Sequence, residues 1–201
     1  MHARVLLTLI AGVILSTTTG CQPNCRDLVF PRPADSPYVL PYPAGKSYVV
    51  SQSYCNSRGG HRNRIALDFM MPMGAQITAS RGGEVIAVKE NFEDGDLQRG
   101  HNNRVLIRHD DGTVAWYAHL QQDSVVVDVG QTVAPGQPIA NCGNTGNTGN
   151  LPHLHFEVFR QRAFDYSDAI PVSFSNADGP VDSIGGLVAE KAYRALASRN
   201  R

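Results

Sequence analysis

Pro152-His153-Leu154-His155-Phe156-Glu157-Val158 sets two histidines two residues apart in an apolar, β-prone run. In an extended strand residues i and i+2 share a face, so both imidazoles project side by side while Leu154, Phe156 and Val158 point the other way. That is how a metal-binding face is built on a sheet. Along the chain, short β-branched runs alternate with Gly and Asp/Asn turns: Tyr48 to Val50, Arg64 to Phe69, Gly83 to Val88, Arg104 to Ile107, Val114 to Leu120, Val125 to Val127, Pro138 to Ala140 and His153 to Phe159. Close spacing with turns such as Asp110-Asp111-Gly112 predicts an all-β, antiparallel, sandwich-like domain rather than βαβ units. Pro171 to Phe174 reads as a last strand. Leu187 to Ser198 has helical composition and predicts a short C-terminal helix.

At 201 residues the chain is long enough for one domain with a core and short extensions. Arg4, the apolar run Val5 to Leu15 and the small residues up to Gly20 have the layout of an export signal over residues 1–20. Gly20-Cys21 resembles the end of a bacterial lipoprotein signal, which would make Cys21 the lipidated first residue, although Thr18 stands where a Leu is usual. Residues 21–46 hold six prolines, at 23, 31, 33, 37, 41 and 43. Such density forbids helix or central strand and predicts a tether or a segment wrapped over the domain. The domain itself is expected over 47–175, with a C-terminal extension over 176–201.

The chain carries 18 Lys+Arg and 18 Asp+Glu. Losing Arg4 with the signal leaves a net charge near −1 and no reason to expect nucleic acid or an anionic lipid surface as partner; the membrane enters only through the lipid anchor. Export permits disulfides. With Cys21 lipidated, Cys25, Cys55 and Cys142 remain; Cys55–Cys142 and Cys25–Cys55 are both open.

Five side chains stand out as chemistry-bearing: His61 in a Gly/Arg/Asn loop, Asp68 in an apolar strand, His119 at a strand end, and His153 with His155. An unpaired carboxylate inside such a strand would be costly, so Asp68 calls for a cation. His101 and His109 read as turn residues.

Residues 61–88, "VLIRHDDGTVAWYAHL" and "VDVGQTVAPGQPIANCGNTGNTGNLPHLHFEV" resemble, in order, the three motif blocks of the lysostaphin-type or LytM-type zinc metalloendopeptidases, over about residues 47–175. Two departures are a long His61-to-Asp68 interval, as in a subgroup of the family, and Leu151 where many members have Gly. The resemblance implies the duplicated hybrid motif fold with a groove on one face. It assigns His61, Asp68 and His155 as ligands of one Zn2+, with His119 and His153 as the catalytic pair that moves the proton. It makes Tyr54 a candidate for polarising the scissile carbonyl and Glu157 a hydrogen-bonding neighbour rather than a ligand. Two His and one Asp leave an open position for the water a catalytic zinc needs.

The implied activity is hydrolysis of peptidoglycan stem or cross-bridge peptides at the cell envelope, from an anchored or secreted position. Loops 52–63, 91–103 and 142–152 would wall the groove. Two alternatives belong to other classes: a non-catalytic activator of another wall hydrolase, as some relatives are, and a biotinyl or lipoyl carrier. The carrier needs a lysine at a hairpin tip, which Lys46, Lys89 and Lys191 do not provide.

Overall fold

Alternation along β9 (Leu154–Phe159) explains the architecture: Leu154, Phe156 and Val158 enter the main core, and His155, Glu157 and Phe159 face the other side. All six residues are buried, as suits a strand at the centre of a sheet. The structure, a computed structural model, describes Cys25, residues 28–56 and residues 59–197.

Among the described residues nine strands form the main antiparallel sheet, in the order β10-β11-β1-β2-β9-β6-β5-β4-β7. They are β1 (Ser47–Gln52), β2 (Ala66–Met70), β4 (Gly83–Lys89), β5 (Arg104–Arg108), β6 (Val114–Ala118), β7 (Thr132–Val133), β9, β10 (Ala177–Asp178) and β11 (Lys191–Ala195). A smaller antiparallel pair joins β3 (Gln76–Thr78) to β8 (Pro138–Asn141). Val50, Leu67, Phe69, Val105, Ile107, Ala115, Tyr117 and Ile77 share one core with Leu154, Phe156 and Val158. The expected all-β antiparallel fold is what the chain adopts. Val125 to Val127 and Pro171 to Phe174 are not strands. Each is an extended stretch that packs Val127, Val172 and Phe174 into the core without entering a ladder.

The C-terminal helix expected over 187–198 does not form in the described part, which ends at residue 197. Residues 191–195 are β11, which pairs antiparallel with β1 through Tyr48 opposite Tyr193. Lys191, Ala192 and Arg194 are exposed while Tyr193 and Ala195 are buried, a period of two. An open edge of β1 and a core slot for Tyr193 outweigh helix propensity, which is only tenths of a kcal/mol per residue.

The proline-rich segment is wrapped onto the body over residues 28–46. Its prolines keep it out of the ladders, while Tyr38, Leu40 and Tyr42 are buried in the main core. Val39 N–H donates to Ser80 O (2.7 Å), Leu40 N–H to Oδ1 of Asn176 (2.7 Å) and the Tyr42 hydroxyl to Tyr193 O (2.8 Å). Cys25 pairs with Cys55, and Cys142 is a buried free thiol on the core side. The export signal and Cys21 lie outside the described residues. Among the described residues no helix is long and apolar enough to cross a membrane.

Candidate metal centre and groove

Three central strands place the polar groups. Asp68 on β2 stands directly opposite His155 on β9, and His155 in turn opposite Ala118 on β6, so the residue after β6, His119, comes alongside. His119 has φ +64°, which turns the chain out of the strand at that point. His61 arrives from a loop, and Gln52, the last residue of β1, holds that loop to the carboxylate. Its Oε1 accepts from Gly60 N–H (2.6 Å) and its Nε2 donates to Oδ2 of Asp68 (2.7 Å). A Cβ on Gly59 would lie 2.2 Å from Oε1 of Gln52, and its φ is +82°, so the approach requires glycine.

His61, Asp68 and His155 are buried, with one ligand atom of each lying within 4.8 Å of the others. Two ligand atoms about 2.0–2.1 Å from one ion at a tetrahedral angle stand about 3.3 Å apart. Nε2 of His61 and Oδ2 of Asp68 are 3.3 Å apart, and Nδ1 of His155 is 2.8 Å from Oδ1 of Asp68. Two imidazoles and a carboxylate in this spacing fit a small divalent cation. Burial alone would raise the Asp68 carboxyl, but hydrogen bonds from His155 and His61 hold it well below the usual range, so it is a carboxylate. Burial alone would lower His155, but Asp68 and Glu157 together raise it.

Behind His155 stands a second carboxylate. Oε2 of Glu157 is 3.3 Å from Nε2 of His155 and accepts from Nε (3.0 Å) and a terminal nitrogen (2.7 Å) of Arg64. The Arg64 guanidinium lies 4.1 Å from the Tyr166 ring centroid and 5.3 Å from that of Trp116. Without a metal Nδ1 donates to Asp68; with an ion in the cluster, a carboxylate at Nε2 would favour the tautomer whose Nδ1 lone pair faces that ion.

His119 and His153 stand beside the cluster, their ring centroids 4.7 Å apart. Nδ1 of His119 donates to Thr145 O (2.6 Å) and Nδ1 of His153 to Leu151 O (2.8 Å). Carbonyls accept only, so each neutral ring carries its proton on Nδ1 and leaves Nε2 as a base. Nε2 of His153 is 3.9 Å from Oδ2 of Asp68. Burial first, then the His153 and His155 rings, push His119 down to about 3, so it is neutral.

All five expected side chains line one groove of about 530 Å³, together with Gln52, Arg64, Arg99, Trp116 and Tyr166. All three expected loops contribute to its walls, and Tyr166 joins them from a further turn. Tyr54 does not belong to it: its hydroxyl donates to Val172 O (2.8 Å) and its ring meets Phe30 edge-on. The Cys25–Cys55 bridge and the wrapped segment draw that position toward the core. His109 is buried with Nδ1 on Gly82 O, and His101 pairs with Asp96, both outside the groove. Gln52 and Arg64 carried one legible signal, a polar residue at the end of an apolar strand run; Tyr166 carried none.

The profile of Peptidase family M23 matches residues 62–166, beginning one residue after His61. Over 157 residues the chain is 34% identical to the peptidoglycan DD-endopeptidase ShyB of Vibrio cholerae serotype O1, covering 74% of this chain and 34% of that protein. Over 109 residues it is 32% identical to the murein hydrolase activator NlpD of Escherichia coli (strain K12), covering 54% of this chain and 25% of that one. The chain therefore spans less than half the length of these curated relatives. A crystal structure of a variant of the catalytic domain of the prophage-encoded M23 protein EnpA from Enterococcus faecalis shares the fold. It has a TM-score of 0.51 at 21% identity, over 66% of this chain and 93% of that one.

Proposed function

The chain belongs to peptidase family M23, and from that premise we propose that it is an exported zinc metalloendopeptidase that hydrolyses peptidoglycan stem or cross-bridge peptides. One observation carries the reading. The N2O cluster of His61, Asp68 and His155 lies in an open groove beside two further histidines whose Nδ1 atoms are both tied to carbonyls. Zinc held there would act as a Lewis acid and bring the pKa of a water near neutrality. The chain's own residues supply the rest. Nε2 of His119 and Nε2 of His153 accept the proton of the attacking water and return it to the leaving amine, work worth about two to four orders of magnitude in rate. Gln52 and Glu157 fix the ligands from outside. Lipidation at Cys21, four residues before the Cys25–Cys55 bridge, would hold the enzyme at the envelope surface.

The test is metal content and muropeptide release from the chain lacking its first 21 residues, beside His155→Ala and His153→Ala. The expected result is about one zinc per chain, lost with His155→Ala and kept with His153→Ala, and peptide release abolished by both. Similarity to NlpD supports one second reading, activation of another wall hydrolase. A zinc-loaded wild type that releases nothing alone but accelerates a partner hydrolase would replace the enzymatic reading with that one.

A further inference from the structure

Arg99 stands on the groove wall with no hydrogen-bond or ion-pair partner for its guanidinium among the described residues. The other groove arginine, Arg64, is neutralised by Glu157, and the one carboxylate lining the groove, Asp68, is engaged by His61, His155 and Gln52. Among the described residues that line the groove, Arg99 is thus the one positive charge left unanswered.

That charge is carried on a braced turn. His101 N–H donates to Gln98 O (3.0 Å), which puts Arg99 and Gly100 at the two central positions of a β-turn, with Gly100 at φ +92° where only glycine is unstrained. Asp96 closes the turn from below: Oδ1 accepts from Gln98 N–H (3.0 Å), Oδ2 meets Nδ1 of His101 (2.9 Å), and its carbonyl accepts from Gly146 N–H (2.6 Å) of the facing loop. The His101 ring stacks on Phe92 at 4.5 Å and 14°. Asn103 N–H donates to Oγ1 of Thr145, whose carbonyl holds His119. The turn is therefore tied to the loop that sets the catalytic pair, and its tip is a cation with no partner among the described residues.

We propose that the Arg99 turn is a carboxylate-binding subsite that makes this groove select an acidic peptide, one bearing a free carboxylate near the scissile bond, over a neutral one. The proposal rests on the endopeptidase reading above and names its substrate class. A guanidinium fork matches a carboxylate in two hydrogen bonds, and a turn fixed before binding loses little freedom on binding.

The probes are a cross-linked stem peptide with its carboxylates free, the same peptide with them amidated, and an end-blocked oligoglycine. Each is given to the zinc-loaded wild type, Arg99→Gln and Arg99→Lys, after circular dichroism of each variant. The expected result is a kcat/KM for the acidic peptide about tenfold above the amidated one, carried by KM, corresponding to about 1.4 kcal/mol. Arg99→Gln should bring the two peptides within about twofold by raising KM for the acidic one alone, and Arg99→Lys should fall between. Rising salt should shrink the preference in wild type. Equal cutting of acidic and amidated peptides by wild type, or an Arg99→Gln loss common to both, overturns the subsite and leaves the endopeptidase standing. If wild type cuts none of the three, the endopeptidase reading fails and the subsite is judged by fluorescence anisotropy alone. Acidic-peptide binding about tenfold weaker in Arg99→Gln upholds it, and unchanged binding sinks it.

Discussion

Glu157 is a buried carboxylate whose Oε2 meets Arg64 on one side and the His155 imidazole on the other, while its Oε1 has no hydrogen-bond partner among the described residues. Replacing it with Gln keeps the shape, leaves the Arg64 charge unanswered, and removes the strong acceptor at Nε2 of His155. Partners of this kind typically change metal affinity about 10- to 100-fold. Zinc affinity of Glu157→Gln, read by competition with a chromogenic chelator, should fall within that range; affinity unchanged within twofold would remove Glu157 from the metal's support. Gln52 acts on Asp68, on the other side of the cluster. Gln52→Glu can still accept from Gly60 N–H but sets a second negative charge against Asp68, so zinc-free protein should lose roughly 1–3 kcal/mol in urea melts and zinc should restore part of it. At this scale the sequence was readable where a residue type carries its own chemistry: His61, Asp68, His119, His153 and His155 stand out by type, and the fold brings all five to one groove. It was unreadable where a role is given by a neighbour in space. Gln52 matters because Gly60 and Asp68 flank it, Tyr166 because Arg64 lies on its ring, and Tyr54 misled because its direction is set by Phe30 and Val172.

Elements at the two ends of the chain close the sheet that the site stands on. Tyr193 of β11 is fully buried, accepts from Val188 N–H (2.6 Å) and donates to Pro180 O (2.5 Å), while its carbonyl receives the Tyr42 hydroxyl from the wrapped segment. Tyr193→Ala should cost about 3–5 kcal/mol, the range for deleting a large buried ring, and Tyr193→Phe about 1–2 kcal/mol for the hydroxyl's two bonds, in equilibrium unfolding. An effect of Tyr193→Ala under 1 kcal/mol would make the terminal strand an ornament of the fold. The Cys25–Cys55 bridge, spanning 30 residues, ties the wrapped segment to the chain just before the His61 loop. Loop-closure entropy gives it roughly 3–4 kcal/mol, so a mild reductant should lower the melting temperature, and Cys25→Ser should do so without any reductant. Strands were legible as short apolar, β-prone runs bounded by Gly and Asp/Asn turns. The terminal strand was hidden because Lys, Ala, Tyr, Arg and Ala satisfy either a helix or a strand, and the open edge of β1 decides between them. The pairing of cysteines was hidden for the same kind of reason: Cys142 is near Cys55 in motif order but sits under the sheet, with Sγ 3.5 Å from Met71 O.

Across the whole molecule the titrating groups divide by direction, and the division sets how the metal-free protein responds to acid. His109, buried against Tyr38 and flanked by Arg81, Asp110 and Asp111, is lowered mainly by burial, and His119 is lowered to about 3 for the same first reason. A histidine depressed in the folded state binds its proton more readily when unfolded. The stability linked to its neutral form is therefore complete above the unfolded value of about 6.5 and drains away as pH falls below it. His155 runs the other way. Its value is raised, so its contribution is present below about 6.5 and is lost only as pH climbs through the folded value. Asp68 and Asp111 are depressed carboxyls, Asp111 to about 2, and their contributions fail only below about 3.9. Between pH 6.5 and 5 the two depressed histidines are therefore left to set the slope. In chelator-treated protein the melting temperature should drop through that interval by a few degrees per pH unit, since each histidine can contribute up to about 1.4 kcal/mol per unit and about 1 kcal/mol moves a chain of this size by about 2–4 °C. His109→Gln keeps a donor for Gly82 O without the titration and lies outside the groove, so it should flatten the slope while leaving zinc binding unchanged. A slope equal to wild type would assign the acid sensitivity to His119 alone.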